Sequence, residues 1–289
     1  MIRGHRLPEL KYVGNENKKL CLHLFFQIIG KIRMALTPRK NHWWYITLYV
    51  YEKGFTTGPV PIENGFASFS MCINILDHEF VIIKSSGESR SFELDHDLSV
   101  AQFYKRVMEL LKELDIEVSI NSKPFDLGID KDFSEIDEIY GYDAVYATSY
   151  WHSFLWIDSV FKEFSGRFYG KTCPVHLYWH SMDLAVTRFS GKKAPQMPEE
   201  ARLSDKDAYS HECISFGFWA GDDNVQEPAF YSYTYPSPEG LDREELEPAK
   251  ANWIMSNGTP MAILTYADLR KEENPEKVLL EFLESAYQA

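Results

Sequence analysis

The stretch "FKEFSGRFYGKTCPVHLYWHSMDLAV" (residues 161–186) decides how the rest of the chain is read, because it answers to an earlier one. Shifted by 136 positions, it falls without a gap on "FFQIIGKIRMALTPRKNHWWYITLYV" (residues 25–50). Six of these 26 pairs are identical: Phe25/Phe161, Gly30/Gly166, Pro38/Pro174, Trp43/Trp179, Leu48/Leu184 and Val50/Val186. Unrelated stretches of this length share roughly one or two. An internal repeat is the first expectation.

The flanking elements extend it. Each copy opens on an amphipathic helix, about residues 18–35 and 144–168, where Leu20, Leu24, Ile28, Ile32 and Phe154, Ile157, Phe161, Phe164 recur at three-to-four spacing. Pro38 and Pro174 block further helix and a strand follows. Further strands are expected at roughly 66–75, 79–85 and 90–94 in the first copy, and at roughly 211–219, 229–235 and 261–266 in the second. Each copy closes on a helix behind an N-cap, Ser99 before "VAQFYKRVMELLKEL" and Asn274 before "PEKVLLEFLESAY".

Strands in series between flanking helices predict an α+β fold with mostly antiparallel sheet rather than a doubly wound one. The expected plan is two tandem, related helix–multistrand–helix halves, residues 1–135 and 136–289, packed as one pseudo-twofold unit. The acidic stretch from about 121 to 142 reads as the connector. Residues 191–210 form an inserted loop that the first copy lacks, of a length that is often functional. A proline-bearing tail with Pro236, Pro238 and Pro248 follows the aromatic run "AFYSYTYP".

Composition narrows the class. With 45% hydrophobic and 25% charged residues, the chain reads as an ordinary globular protein with enough length for a large core. The 15% of aromatic residues, many in alternating runs, favours strands with much buried ring surface. A formal net charge of −13 argues against nucleic acid and anionic membranes as partners. Cys21, Cys72, Cys173 and Cys213 are scattered without a C-x-x-C pair, as expected of reduced thiols in a cytoplasmic protein. The longest apolar run, "LCLHLFFQIIG", is too short to span a bilayer and no signal-peptide pattern precedes it, so a soluble protein is expected. Nucleotide-binding and common hydrolase signatures are absent.

The candidate chemistry lies in "CPVHLYWHSMDLAVTRFSG" (173–191) and "YSHECISFGFW" (209–219). Read as one continuous strand, the first segment puts His176, Tyr178, His180 and Met182 on one face and Asp183 on the other. His176 and His180 supply two imidazoles that His211 and Glu212 would complete into a metal site; the plainer alternative is a set of hydrogen-bonded interior histidines. Arg188 and Asp183 would hold an anionic group and orient a histidine, or simply pair with each other. Glu212 shares its face with Ile214, Phe216 and Phe218, so its carboxylate needs a partner, whereas His211 points the other way. Cys173 or Cys213 beside a histidine would make a nucleophile pair, without an evident orienting group. Lys19, His23, Gln27 and Lys31 form a polar stripe on the first helix, and Ser159, Glu163 and Arg167 are its counterpart on the other. Such a stripe is ordinarily a solvated face. If the helices meet across the pseudo-twofold axis, Lys31, Glu163 and Arg167 would edge a shared cavity.

These same blocks resemble an uncharacterised, mainly bacterial family, the domain of unknown function numbered 5996, over nearly the whole chain. Its pattern around the central segment is similar to P-V-H-F-F-W-G-S-F-D-L-A-V-T-R-F-S-G. His176, Trp179, Asp183, Arg188 and Gly191 match it, as do His211 and Glu212 in the next block. His180 departs, because the pattern has glycine there, and this weakens a His176/His180 metal pair. His23, Gln27, Gly30, Lys31, Arg33, His42 and Trp43 also match, which lifts the helix stripe above an ordinary solvated face. The resemblance implies no activity.

Two functions follow as expectations. One is a small-molecule-binding protein or enzyme whose pocket lies between the halves. There His176, His211, Glu212, Asp183 and Arg188 would carry the chemistry, and His23, Gln27, Lys31, His42, Trp43, Glu163, Arg167 and Trp179 would contact the ligand. No cofactor is specified, and a metal on His176, His211 and Glu212 is the less favoured version. The other is a non-catalytic scaffold or interaction protein whose polar residues form buried networks.

Overall fold

Residues 6–289 are described by the computed structural model; residues 1–5 of the expected first half lie outside it. The first helix, α1 (Glu16–Leu36), is buried without a break from Cys21 to Arg33. It is therefore a central helix, apolar on most sides, rather than a surface helix with one wet face. It stops where Thr37, ahead of Pro38, turns extended.

The first sheet follows as β1 (Tyr49–Tyr51), β2 (Gly54–Thr56), β3 (Val60–Ile62), β4 (Ala67–Asn74), β5 (Glu79–Lys84) and β6 (Ser89–Glu93). Its order is β1-β2-β4-β5-β6, with β3 also on β4, and every pairing is antiparallel. Helix α2 (Val100–Glu113) starts at Ser99, whose hydroxyl accepts from the Gln102 N–H while the Gln102 side chain accepts from the Ser99 N–H. After the connector, α3 (Ala144–Gly166) is capped by Asp143, which accepts from the Tyr146 N–H at 2.7 Å.

The second sheet comprises β7 (His176–Tyr178), β8 (Asp183–Lys193), β9 (His211–Trp219), β10 (Ala229–Tyr235), β11 (Asn252–Ser256) and β12 (Thr259–Thr265). Its antiparallel order is β11-β12-β10-β9-β8-β7. Three helices complete the chain: α4 (Leu203–Ala208) inside the inserted loop, α5 (Tyr266–Leu269), and α6 (Pro275–Gln288) behind the Asn274 cap. The α+β class and antiparallel pairing are as expected. Helix, strands, helix does recur in order, but β12 is placed between β10 and β11, with no equivalent in the first sheet, so the sheet orders establish no pseudo-twofold relation. A mutual main-chain pair between Leu48 and Leu177, 2.8 Å in both directions, joins the edges of the two sheets. One apolar core runs through both halves.

One expectation is corrected here. Residues 176–188 are not a continuous strand. Trp179–Met182 make a turn in which the Met182 N–H donates to the Tyr178 carbonyl at 2.8 Å and Met182 takes a left-handed φ of 56°. The turn folds β7 back on β8 and pairs Tyr178 with Asp183 and His176 with Ala185. Cross-strand partners share a face. His176, Tyr178, Asp183, Ala185 and Thr187 therefore lie on one side of the sheet, and Leu177, Leu184, Val186 and Arg188 on the other. The second side packs on α3, with Phe164 against Phe216 and Phe154 against Phe218. Among the described residues the first side is covered by loops and the short α4 rather than by a long helix, and it holds the site.

Gly30 of α1 lies directly against Trp179. A Cβ there would lie 2.2 Å from Cγ and Cδ1 of the Trp179 indole. In an open helix, alanine gains about 1 kcal/mol over glycine. Here the indole is 3% exposed and would have to shift to admit the methyl group. Gly30→Ala is expected to cost about 1–3 kcal/mol net, read as a lower urea midpoint at unchanged slope.

Candidate functional site

The uncovered face of the second sheet floors a cavity of about 500 Å³. Alternation builds the floor: Tyr178, Asp183, Ala185, Thr187 and Phe189 from β7 and β8, Cys213 and Ser215 from β9, and Tyr231 and Tyr233 from β10. Register brings them together, since Thr187 pairs with Ser215 and Tyr233 with Ser215 across adjacent strands. The Tyr231 ring lies flat over Gly217, where a Cβ would meet it at 2.2 Å, so only glycine lets the ring cross towards β8. There the Tyr231 hydroxyl donates to Asp183, as does the Ser181 hydroxyl.

Three segments distant in sequence roof the cavity. In the first, His42 and Trp43 both adopt left-handed backbone, at φ 56° and 61°. His42 Nδ1 donates to the Ala208 carbonyl at 3.0 Å, and its Nε2 accepts from the Lys171 ammonium at 2.8 Å. The Trp43 indole donates to the Ser204 carbonyl at 2.9 Å. The second is the connector, pinned by α1. Gln27 donates to the Phe125 carbonyl at 2.9 Å and accepts from its N–H at 2.6 Å. Lys31 donates to the carbonyls of Asn121 and Lys123 at 3.0 and 2.5 Å. The third is α4 with its flanks, tied to the connector by Arg202 and Asp126 at 3.3 Å. Trp44, Trp179 and His180 close the sides.

Burial sets the charge states inside. It pushes His180 down, although Asp183, Asp126 and Asp205 all pull it up, and it pushes His42 down as well. Tyr178, Tyr231 and Tyr233 are held far above the usual phenol range, first by burial and then by neighbouring acidic groups, so they act as hydrogen-bond donors. Burial raises Cys213 to about 12 and Cys173 to about 11. Both thiols therefore stay protonated, which leaves no activated cysteine nucleophile at neutral pH.

The sequence-derived set divides. Asp183, Lys31, His42, Trp43 and Trp179 line the cavity. His23 and Gln27 stand behind it; His23 Nε2 donates to the His180 carbonyl at 3.0 Å. The polar stripe of α1 is not a solvated face, since Lys19, His23, Gln27 and Lys31 are all buried. His211 lies at the rim, its ring 5.6 Å from that of His42. The structure does not bring the others there. His176 is buried at the junction of the sheets, and neither ring nitrogen has a hydrogen-bond partner among the described residues. Arg188 faces α3, where its Nη2 donates to the Phe164 carbonyl at 2.7 Å. Glu212 accepts from Ser190 at 2.8 Å on the far side of β9. Glu163 and Arg167 pair with each other on the surface, and Arg167 also pairs with Glu284 of α6. Among the described residues no group of three His, Cys, Asp or Glu side chains is placed to hold a metal ion.

Sequence reasoning missed Tyr178, Tyr209, Tyr231, Tyr233, Asp126 and Asp205. The two β10 tyrosines had a legible signal, because "YSY" puts both on one face of a strand. Asp126 sits in the irregular connector and Asp205 in the short α4 of the inserted loop, segments whose destination no periodicity gives.

No helix among the described residues is long and apolar enough to cross a membrane. No curated protein and no solved structure matches the chain. Residues 7–289 match the family described as a family of unknown function, DUF5996, and the chain belongs to that family.

Proposed function

We propose that the protein binds a small molecule in the cavity between the second sheet and its three-segment roof. The observation that carries this is an aromatic-walled space of about 500 Å³ on which a few polar groups converge, the usual make-up of a ligand site. Backbone strain supports it. Left-handed His42, Trp43 and Met182 all stand at or beside the cavity, and such conformations cost of order 1–3 kcal/mol each and gather at functional sites. The scaffold alternative keeps its own support: Gln27, Lys31 and Arg188 spend their polar atoms on main-chain carbonyls. In the proposed reading Gln27 and Lys31 hold the roof in shape, and Arg188 stabilises the opposite side of the sheet.

A thermal-shift screen against metabolites tests it. A ligand at about 100 times its Kd adds about 2.7 kcal/mol, which is about 4 °C for a chain of this length. Ala185→Leu adds three carbons to the cavity floor and is expected to abolish the shift. If no compound raises the melting temperature, or if shifts survive Ala185→Leu, the proposal fails.

A further inference from the structure

Resting on the small-molecule reading above, we infer that the ligand is a protonated amine whose ammonium group sits against Asp183 and Asp205 and whose body lies along the aromatic walls. Charge accounting inside the cavity points there. Its formal charges are two basic, Lys31 and Arg202, and three acidic, Asp126, Asp183 and Asp205, which sum to −1. Both basic groups are already committed. The Lys31 ammonium is turned onto two main-chain carbonyls, and Arg202 pairs with Asp126.

That leaves two carboxylates without a basic partner among the described residues. Asp183 receives only hydroxyls, from Ser181 and Tyr231. Asp205 receives the Ser204 hydroxyl at 3.2 Å. A carboxylate accepts at about four lone-pair positions, so each retains capacity for N–H donors. Neither histidine in the cavity supplies the missing charge, because burial keeps both neutral. The walls complete the case. Trp43, Trp179 and Tyr233 present ring surface to the space, and ring faces attract cations and repel anions; the Trp44 ring already carries the ammonium groups of Lys40 and Lys171. A neutral ligand would displace water from the two half-buried carboxylates without neutralising them, and an anionic one would add to their charge.

Isothermal titration with three probes of near-equal size and different charge tests this: 2-phenylethylammonium, 2-phenylethanol and 3-phenylpropanoate. The amine is expected to bind about tenfold tighter than the alcohol, with the carboxylate weakest. Asp183→Asn and Asp205→Asn should each reduce that advantage, weakening the amine more than the alcohol. Asp205 stands in the roof, outside the sheet, so its variant carries the comparison even if Asp183→Asn disturbs folding. Equal or tighter binding of the alcohol overturns the cationic ligand and makes the cavity a site for neutral hydroxylated molecules. Tightest binding of the carboxylate overturns it in favour of anions. In both cases the small-molecule reading stands. Absence of binding by all three at about 10 mM, or amine binding that Ala185→Leu leaves intact, overturns both readings.

Discussion

Arg188→Ala is expected to lower the free energy of unfolding by about 3–5 kcal/mol. The side chain is 3% exposed, and its guanidinium carbon lies 3.6 Å above the centre of the Phe164 ring and 4.4 Å from that of Tyr287. It clamps the end of α3 to the C-terminal helix over the apolar face of β8. Truncation removes six buried heavy atoms from between two rings and leaves the Phe164 carbonyl only the longer bond from the Arg167 N–H, at 3.3 Å. Arg188→Met separates packing from charge. Methionine keeps most of the stem and also removes a buried cation that has no acidic partner within ion-pair distance among the described residues, so its cost should be about 1–2 kcal/mol. Urea unfolding of both variants checks the order. Ligand affinity measured well below the melting temperature should be unchanged, because Arg188 faces away from the cavity. An Arg188→Ala protein of wild-type stability that had lost a ligand would return Arg188 to the role of anion holder that its sequence context suggested.

Elements with strong local signals were legible. Ser99 and Asn274 mark helix starts because each offers an oxygen to the N–H three residues on. The long strands β4, β9 and β10 follow from runs of β-branched and aromatic residues. The hairpin within "VHLYWHSMDLAV" was not legible. Its left-handed position is filled by Met182, a residue with no preference for that conformation, and neither glycine nor proline marks the turn. Missing that turn reversed the parity of the segment. His176 and Asp183 were assigned to opposite faces, whereas they share one, and the cavity side of the sheet was correspondingly misread. The short β1–β2 hairpin and β11, embedded in a proline-bearing tail, lacked enough residues to show a period.

The site itself depends on contacts that periodicity cannot reach. Gln27 meets Phe125 across 98 positions, Trp43 meets Ser204 across 161, and His42 meets Ala208 across 166. Lys31 was singled out by its place in the α1 stripe, whereas His42, Trp43 and Trp179 were raised by their match to the family's blocks. Conversely, Arg188 and His176 stood out for being polar in apolar strands, a property shared by ligand-binding groups and by buried structural ones. Their surroundings tell the two apart: Arg188 lies on the α3 side of the sheet, and His176 shares the cavity side but is buried at the junction of the sheets.

Acid is expected to destabilise the protein through two buried imidazoles well before its carboxylates titrate. Burial pushes His23 and His176 down to about 3 from the ordinary 6.5, with Lys19 adding to the first and Arg33 and Lys40 to the second. Above pH 6.5 these rings are neutral whether the chain is folded or not, so they add no pH dependence. Below it the unfolded chain takes up protons that the native state refuses, and stability falls with pH until the native rings also charge near pH 3. At pH 5 the loss is about 2 kcal/mol per ring, or about 4 for the pair. That is a large part of the 5–15 kcal/mol of a typical domain. Burial depresses His42 and His180 in the same direction. His176 offers the sharper test, because neither of its nitrogens has a partner to lose. His176→Leu is expected to match the wild type at pH 7 and to exceed it by about 2 kcal/mol at pH 5, read from urea midpoints at the two pH values. A variant several kcal/mol weaker at pH 7 would mean that the imidazole is hydrogen-bonded in solution, and an unchanged pH dependence would mean that His176 protonates freely in the folded protein.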